Sequence, residues 1–205
     1  MTQSLNYLRE TPSQTAGPYV HIGLAPGAAG FHLFEQELGQ TIAGPDVPGE
    51  RIRIEGLVTD GMGAPVKDVL LEVWQADANG IYPHLEDPRA AHVAQGFKGW
   101  GRVITNFDTG LWSFDTIKPG PVPGRQGATQ APHISVWLVS RGINIGLNTR
   151  LYFPEDAAFH AVDPILQSIE QRHRAATLIA TCTAPGQYRF DIRLQGEAET
   201  VFMDI

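Results

Sequence analysis

The chain is poor in cysteine. A single one, Cys182, stands in 205 residues, which excludes an internal disulfide and points to a reducing compartment, so a cytoplasmic protein is expected. Positive charge is also scarce. Lysine and arginine total 15 against 22 acidic residues, a formal net charge of −7. Nucleic-acid binding needs a basic surface, so no such partner is expected. A small anion can still be bound where one arginine is placed in a pocket. No apolar run reaches the roughly 18 residues that a membrane-spanning helix requires, and no membrane partner is expected. The first ten residues lack a charged segment leading into an apolar core, so no secretory leader is expected. Internal repeats and low-complexity tracts are missing, and helical periodicity is rare.

What is plentiful is turn chemistry, with 22 glycines and 15 prolines. Residues 1–50 read as an arm. Thr11-Pro12-Ser13-Gln14-Thr15-Ala16-Gly17-Pro18-Tyr19 is too rich in proline and glycine for a helix or a central strand, and an extended, specifically held loop is expected. An arm of this length should lie on its own body or on a partner subunit. From Arg51 the pattern changes to residues 51–205, a body of short alternating segments. Arg51–Glu55 and Val69–Trp74 read as strands. Gly101–Thr105 and Leu111–Ile117 read as a hairpin around Asn106–Gly110. Ile81–Gly99 is an irregular excursion, and Lys118–Gly124 a stiff loop that cannot join a ladder. Asp163-Pro164 before Ile165 and Leu166 signals a helix start. Gln187–Gly196 alternates Tyr188, Phe190, Ile192 and Leu194 against Arg189, Asp191 and Arg193. About eight short strands and one short helix predict an all-β protein, an antiparallel β-sandwich core with an ordered N-terminal arm and long loops.

The densest stretch is Gln130–Phe153, two strands joined near Arg141–Gly142. His133 and Ser135 share one face of the first strand. Arg141 is a cation at the turn, read from the residues alone as either a solvated turn arginine or an anion contact. His21, His32, His84, His92, His160 and His173 show no metal-ligand spacing and are expected on the surface or in loops. Trp74, Trp112 and Trp137 are expected in the core, Cys182 as a small buried residue, and Arg150, Arg189 and Arg193 on the solvent side or at an interface. His133 is expected half-buried and hydrogen-bonded to a neighbour.

Several long pieces, in order, carry a resemblance: Thr11–Tyr19, Leu71-Glu72-Val73-Trp74-Gln75-Ala76-Asp77-Ala78-Asn79-Gly80, Thr116-Ile117-Lys118-Pro119-Gly120, Ala131-Pro132-His133-Ile134, Arg141-Gly142-Ile143-Asn144-Ile145 and Arg189-Phe190-Asp191-Ile192-Arg193. On these the chain resembles the intradiol aromatic-ring dioxygenases over nearly its whole length. The resemblance implies a β-sandwich with an ordered arm, and O₂-dependent cleavage of 3,4-dihydroxybenzoate to 3-carboxy-cis,cis-muconate at a non-haem ferric ion. In such proteins two tyrosinates and two histidines hold the iron, hard anionic oxygens favouring the ferric state. Here the second histidine place is Ser135 and one tyrosine place is Val122. Tyr82 aligns with a non-ligand tyrosine, and only His133 of the donor set remains. The resemblance therefore implies no metal in this chain and no catalytic residue in this chain alone, with Fe(III) bound by a homologous β subunit in a higher-order αβ oligomer. It assigns substrate contacts to Arg141 and to the loop residues Thr15, Gly17, Pro18 and Tyr19, a loop that can equally pack subunits. The competing expectation is a non-catalytic β-sandwich binding or scaffold module.

Overall fold

Residue-by-residue alternation of apolar and polar side chains becomes two facing sheets. The computed structural model describes residues 14–204, so the Thr11–Ser13 start of the arm motif lies outside the described residues. In chain order the strands are β1 (Arg51–Thr59), β2 (Leu70–Gln75), β3 (Trp100–Ile104), β4 (Leu111–Ile117), β5 (Val122–Pro123), β6 (Thr129–Gln130), β7 (His133–Val139), β8 (Leu147–Tyr152), β9 (Thr181–Ala184), β10 (Gln187–Arg189) and β11 (Ile192–Arg193). Short helices α1 (Tyr19–Leu24), α2 (Ala157–His160) and α3 (Pro164–Ser168) accompany them.

One sheet is antiparallel throughout, in the order β3-β2-β7-β8. The other is built around β1. β4 runs antiparallel along one edge of it, while β10 and then β11 run parallel along the other. The inner faces meet in one core: Ile52, Ile54 and Val58 of β1, Trp112 and Phe114 of β4, Val73 of β2, and Ile134, Val136 and Leu138 of β7. Full burial of a large apolar side chain contributes about 1.5–3 kcal/mol, so this layer stabilises the sandwich.

Several local expectations are corrected. Gly101–Thr105 and Leu111–Ile117 do not pair as a hairpin: β3 pairs with β2 and β4 with β1, so the Asn106–Gly110 turn carries the chain between sheets. The sandwich is not purely antiparallel, because β10 and β11 run parallel to β1. The Gln187–Gly196 strand is broken at Phe190–Asp191. Gly56 explains how β1 accepts the break: a Cβ there would stand 1.9 Å from the Phe190 carbonyl oxygen. Asp191 Oδ1 accepts the Leu57 N–H at 2.8 Å, replacing a ladder bond. The Pro-rich loop does join a ladder, if a short one, through β5 and β6. Among the described residues there are three short α-helices, not one, and α1 begins at Tyr19, where extended chain was expected. Cys182 is exposed. Of the tryptophans only Trp112 lies in the core; Trp74 and Trp137 are partly exposed.

The helix start at Asp163 is as expected, and more is tied to it. Its carboxylate is fully buried and accepts the N–H groups of Ile165 at 2.8 Å and Leu166 at 2.9 Å, capping α3. It also accepts the Ala131 N–H at 2.7 Å, fixing the residue two before His133.

Candidate functional site

β7 carries candidate residues at both ends. His133 opens the strand, and Arg141 lies just beyond its close at Val139. At about 3.3 Å per residue, some 20 Å of strand separates the two places.

At the His133 end, Nδ1 faces the Ala131 carbonyl oxygen at 2.7 Å. A carbonyl only accepts, so the ring proton sits on Nδ1 and the Nε2 lone pair is left facing the Tyr82 hydroxyl at 3.5 Å. His133 is buried, 2 % exposed, rather than half-buried. Burial, reinforced by the charge of Arg150, pushes its pKa from 6.5 down to about 4. Burial pushes the Tyr82 phenol up. Both groups are therefore neutral at pH 7. Ser135 is paired across the ladders with Trp74 and Arg150, and Val122 is buried in β5. Gly80, with φ +71°, has Pro121 O so close that a Cβ would stand 1.9 Å from it, which lets the Val122 loop fold onto the Asp77–Gly80 turn. Trp74 and Tyr82 stack with ring centroids 5.7 Å apart along one wall of a cavity of about 570 Å³ that Val122 also lines.

These residues do not suit ferric iron. The places offer one imidazole nitrogen, a serine hydroxyl and a valine, with a neutral phenol as neighbour. Fe(III) is held by hard anionic donors, and the cation of Arg150 beside them adds repulsion. Among the described residues, no group of three or more histidine, cysteine, aspartate or glutamate side chains converges as a metal site.

At the other end, the arm and the body enclose a cavity of about 440 Å³ lined by Gly17, Pro18, His21, Asp68, Phe107 and Arg141, among others. Gly17, Pro18 and Arg141 thus come together. Thr15 does not line the cavity; it fastens the arm. Its Oγ1 accepts the Gly142 N–H at 2.6 Å and faces the Ser140 carbonyl at 3.4 Å. Tyr19 points outward, 84 % exposed. The side chain of Arg141 is 70 % exposed and ion-pairs through Nε with Asp68.

Three neighbours are not placed by sequence reasoning: Tyr82 and His21 are read without their contacts, and Asp68 is not singled out. Tyr82 lies in the excursion after Gly80, and only the turn there, closed by Asp77 Oδ1 to the N–H groups of Asn79 and Ile81, folds it back onto His133. Asp68 could have been found only with the β2–β7 register in hand. His21, expected in a surface loop, is 8 % exposed, packs edge-on against Phe107 at 5.2 Å, and has burial pushing its pKa down. Of the outer arginines, Arg189 pairs with Glu55 and Asp191, whereas Arg150 donates to Gln130 Oε1 at 2.7 Å and makes no ion pair among the described residues.

The Dioxygenase family model matches residues 32–196. The protocatechuate 3,4-dioxygenase alpha chain of Pseudomonas putida is 52 % identical over 203 residues, with 98 % of each chain covered. The protocatechuate 3,4-dioxygenase beta chain of Burkholderia cepacia is 38 % identical over 160 residues, 74 % of this chain and 67 % of that one. Among solved structures, the dioxygenase domain of a carbohydrate-binding fusion protein from Streptomyces sp. SirexAA-E superposes with a TM-score of 0.53 at 25 % identity, covering 79 % of this chain and 88 % of that one.

Proposed function

The chain belongs to the intradiol ring-cleaving dioxygenases, with the protocatechuate 3,4-dioxygenase alpha chains as its near relatives, and on that footing we propose that it is the α subunit of an enzyme cleaving 3,4-dihydroxybenzoate. The carbon–carbon bond between the two hydroxyl-bearing carbons breaks, and both atoms of O₂ enter the product, 3-carboxy-cis,cis-muconate. A homologous β subunit holds the ferric ion. This chain completes the substrate cavity beside it.

One observation carries the reading. The guanidinium of Arg141 and the degenerate metal place at His133 stand at opposite ends of β7, so Arg141 cannot serve a reaction at His133. It serves a centre supplied by another chain. Arg141 offers the substrate carboxylate a permanent charge and forked donors. Gly17 and Pro18 line the same cavity, Thr15 fastens the loop that carries them, and the exposed Tyr19 is left to meet the partner. The arm at 1–50 is then the pocket and subunit-contact segment, and 51–205 the sandwich that bears it. Its exposed Leu33, Phe34 and Leu38 support extensive contact in a higher-order αβ oligomer. No helix among the described residues is long and apolar enough to cross a membrane. The lone cysteine favours the cytoplasm.

The test is reconstitution. The purified chain alone should retain no stoichiometric iron and cleave no 3,4-dihydroxybenzoate, and mixing with an iron-loaded β chain should produce ring cleavage. Activity or stoichiometric iron in the lone chain would overturn the assignment. A mixture in which the β chain cleaves equally well without this chain would leave only the scaffold role.

A further inference from the structure

We propose that Asp68 is a positioning residue for Arg141, holding the guanidinium by its Nε edge so that the outer Nη1–Nη2 edge meets the substrate carboxylate. The inference rests on the role given to Arg141 above.

The pairing follows from register. β2 and β7 are antiparallel, with Leu71 opposite Leu138 and Leu70 opposite Val139. Two residues further along, Asp68 falls opposite Arg141, past the last ladder pair. Here the backbone no longer sets the spacing and the side chains do. Asp68 Oδ2 accepts the Arg141 Nε–H. Asp68 Oδ1 accepts the Ser140 hydroxyl at 3.2 Å, and Ser140 is 2 % exposed. The carboxylate is thus anchored to the body before it touches the arginine. Its side chain is 21 % exposed, that of Arg141 70 %.

The fork of an arginine can meet a carboxylate through its Nε edge or through its two terminal nitrogens. Asp68 takes the first. The terminal nitrogens have no partner among the described residues, which leaves the second edge for a ligand. An ion pair this exposed adds little to folding. Its effect lies in orientation: a four-torsion side chain on a turn is held in one direction before the ligand arrives, so less freedom is lost on binding. Thr15 helps from the other side, since its bond to the Gly142 N–H ties the arm to the same turn.

Asp68 also places a negative charge near an incoming anion, which opposes binding. The two effects predict opposite signs, and Asp68→Ala and Asp68→Asn separate them. Ala removes both the acceptor and the charge. Asn removes the charge and keeps an oxygen able to accept the Nε–H. In the reconstituted αβ enzyme, positioning predicts that Asp68→Ala raises KM for 3,4-dihydroxybenzoate roughly fivefold, and by a larger factor than it raises KM for catechol. Asp68→Asn should stay within about twofold of the parent. In an Arg141→Ala background, Asp68→Ala should not alter the ratio of the two KM values further. A fall in KM for 3,4-dihydroxybenzoate in both Asp68 variants, or a change in the ratio that persists without Arg141, would overturn the inference and leave the role of Arg141 standing. Equal losses on both substrates in Arg141→Ala alone would remove the carboxylate role itself, and the positioning role with it.

Discussion

The hydroxyl of Tyr82 lies 3.5 Å from Nε2 of His133, and both groups are neutral. A phenol and an imidazole are donor types that suit ferric iron only once the phenol is ionised. What is missing is charge. The phenol keeps its proton at pH 7 as an ordinary tyrosine does, the more firmly because burial raises its pKa, and the nearby Ser135 and Val122 bring no anionic donor. The pair therefore satisfies itself, phenol donating to imidazole, instead of turning to a metal.

His133→Ala should leave the iron content of the assembled αβ enzyme unchanged, measured by elemental analysis of the purified complex. Stability should fall by about 1–3 kcal/mol, because the Ala131 carbonyl loses its buried partner. Loss of iron in step with the substitution would place metal in this chain.

The pH dependence of stability should carry the signature of His133. Folded, it titrates at about 4, below its ordinary 6.5. Between those values the unfolded chain takes up a proton and the folded chain does not. Stability is therefore full above pH 6.5 and is lost as pH falls toward 4, by an amount on the order of 3 kcal/mol. Denaturation midpoints at pH 7 and pH 4.5 should differ by less in His133→Gln than in the parent chain; an unchanged difference would mean that other groups govern acid unfolding.

Thr15→Val should loosen the arm without unfolding the sandwich. The substitution removes the acceptor of the Gly142 N–H, a loss of about 1 kcal/mol. Hydrogen exchange in residues 14–24 should quicken, and that of β7 should not. Slowed or unchanged exchange in the arm would show that Thr15 is not what fastens it.

Gly56→Ala should be severely destabilising, by more than about 3 kcal/mol. The added carbon would stand 1.9 Å from Phe190 O and 2.6 Å from the Trp112 ring, backbone on one side and a core aromatic on the other. Thermal unfolding of the variant would show it, and a melting temperature within a few degrees of the parent would mean that β1 and the Phe190–Asp191 break can separate at little cost.

Much of this was legible before the structure. Strand β7 announces itself because Ile134, Val136 and Leu138 alternate with partly exposed neighbours, and alternation is a local property. The Asp163-Pro164 helix start is local too. Pairing is not. The residues around Asn106–Gly110 look the same whether they close a hairpin or carry the chain to the opposite sheet, and which occurs is decided by β1 and β2, many residues earlier. Cys182 is exposed where β9, which among the described residues pairs only with β10, forms the sheet's rim, a fact of strand order and not of cysteine chemistry. In the site, that Val122 and Ser135 bring no anionic donor is plain from the residue types, whereas the approach of Tyr82 to His133 and of Asp68 to Arg141 needed the turns and register that bring distant segments together.

The parallel placement of β10 and β11 along β1 has a consequence for biosynthesis. β1 is among the first body residues to leave the ribosome, yet among the described residues one of its edges is paired by the distant segment 186–194. Until those residues emerge, a strand with one apolar face, carrying Ile52, Ile54 and Val58, waits with open hydrogen-bonding groups, a template for mispairing with other nascent chains. A chain that stops before Gln187 would leave that edge permanently bare, so it should yield aggregate rather than a shortened subunit.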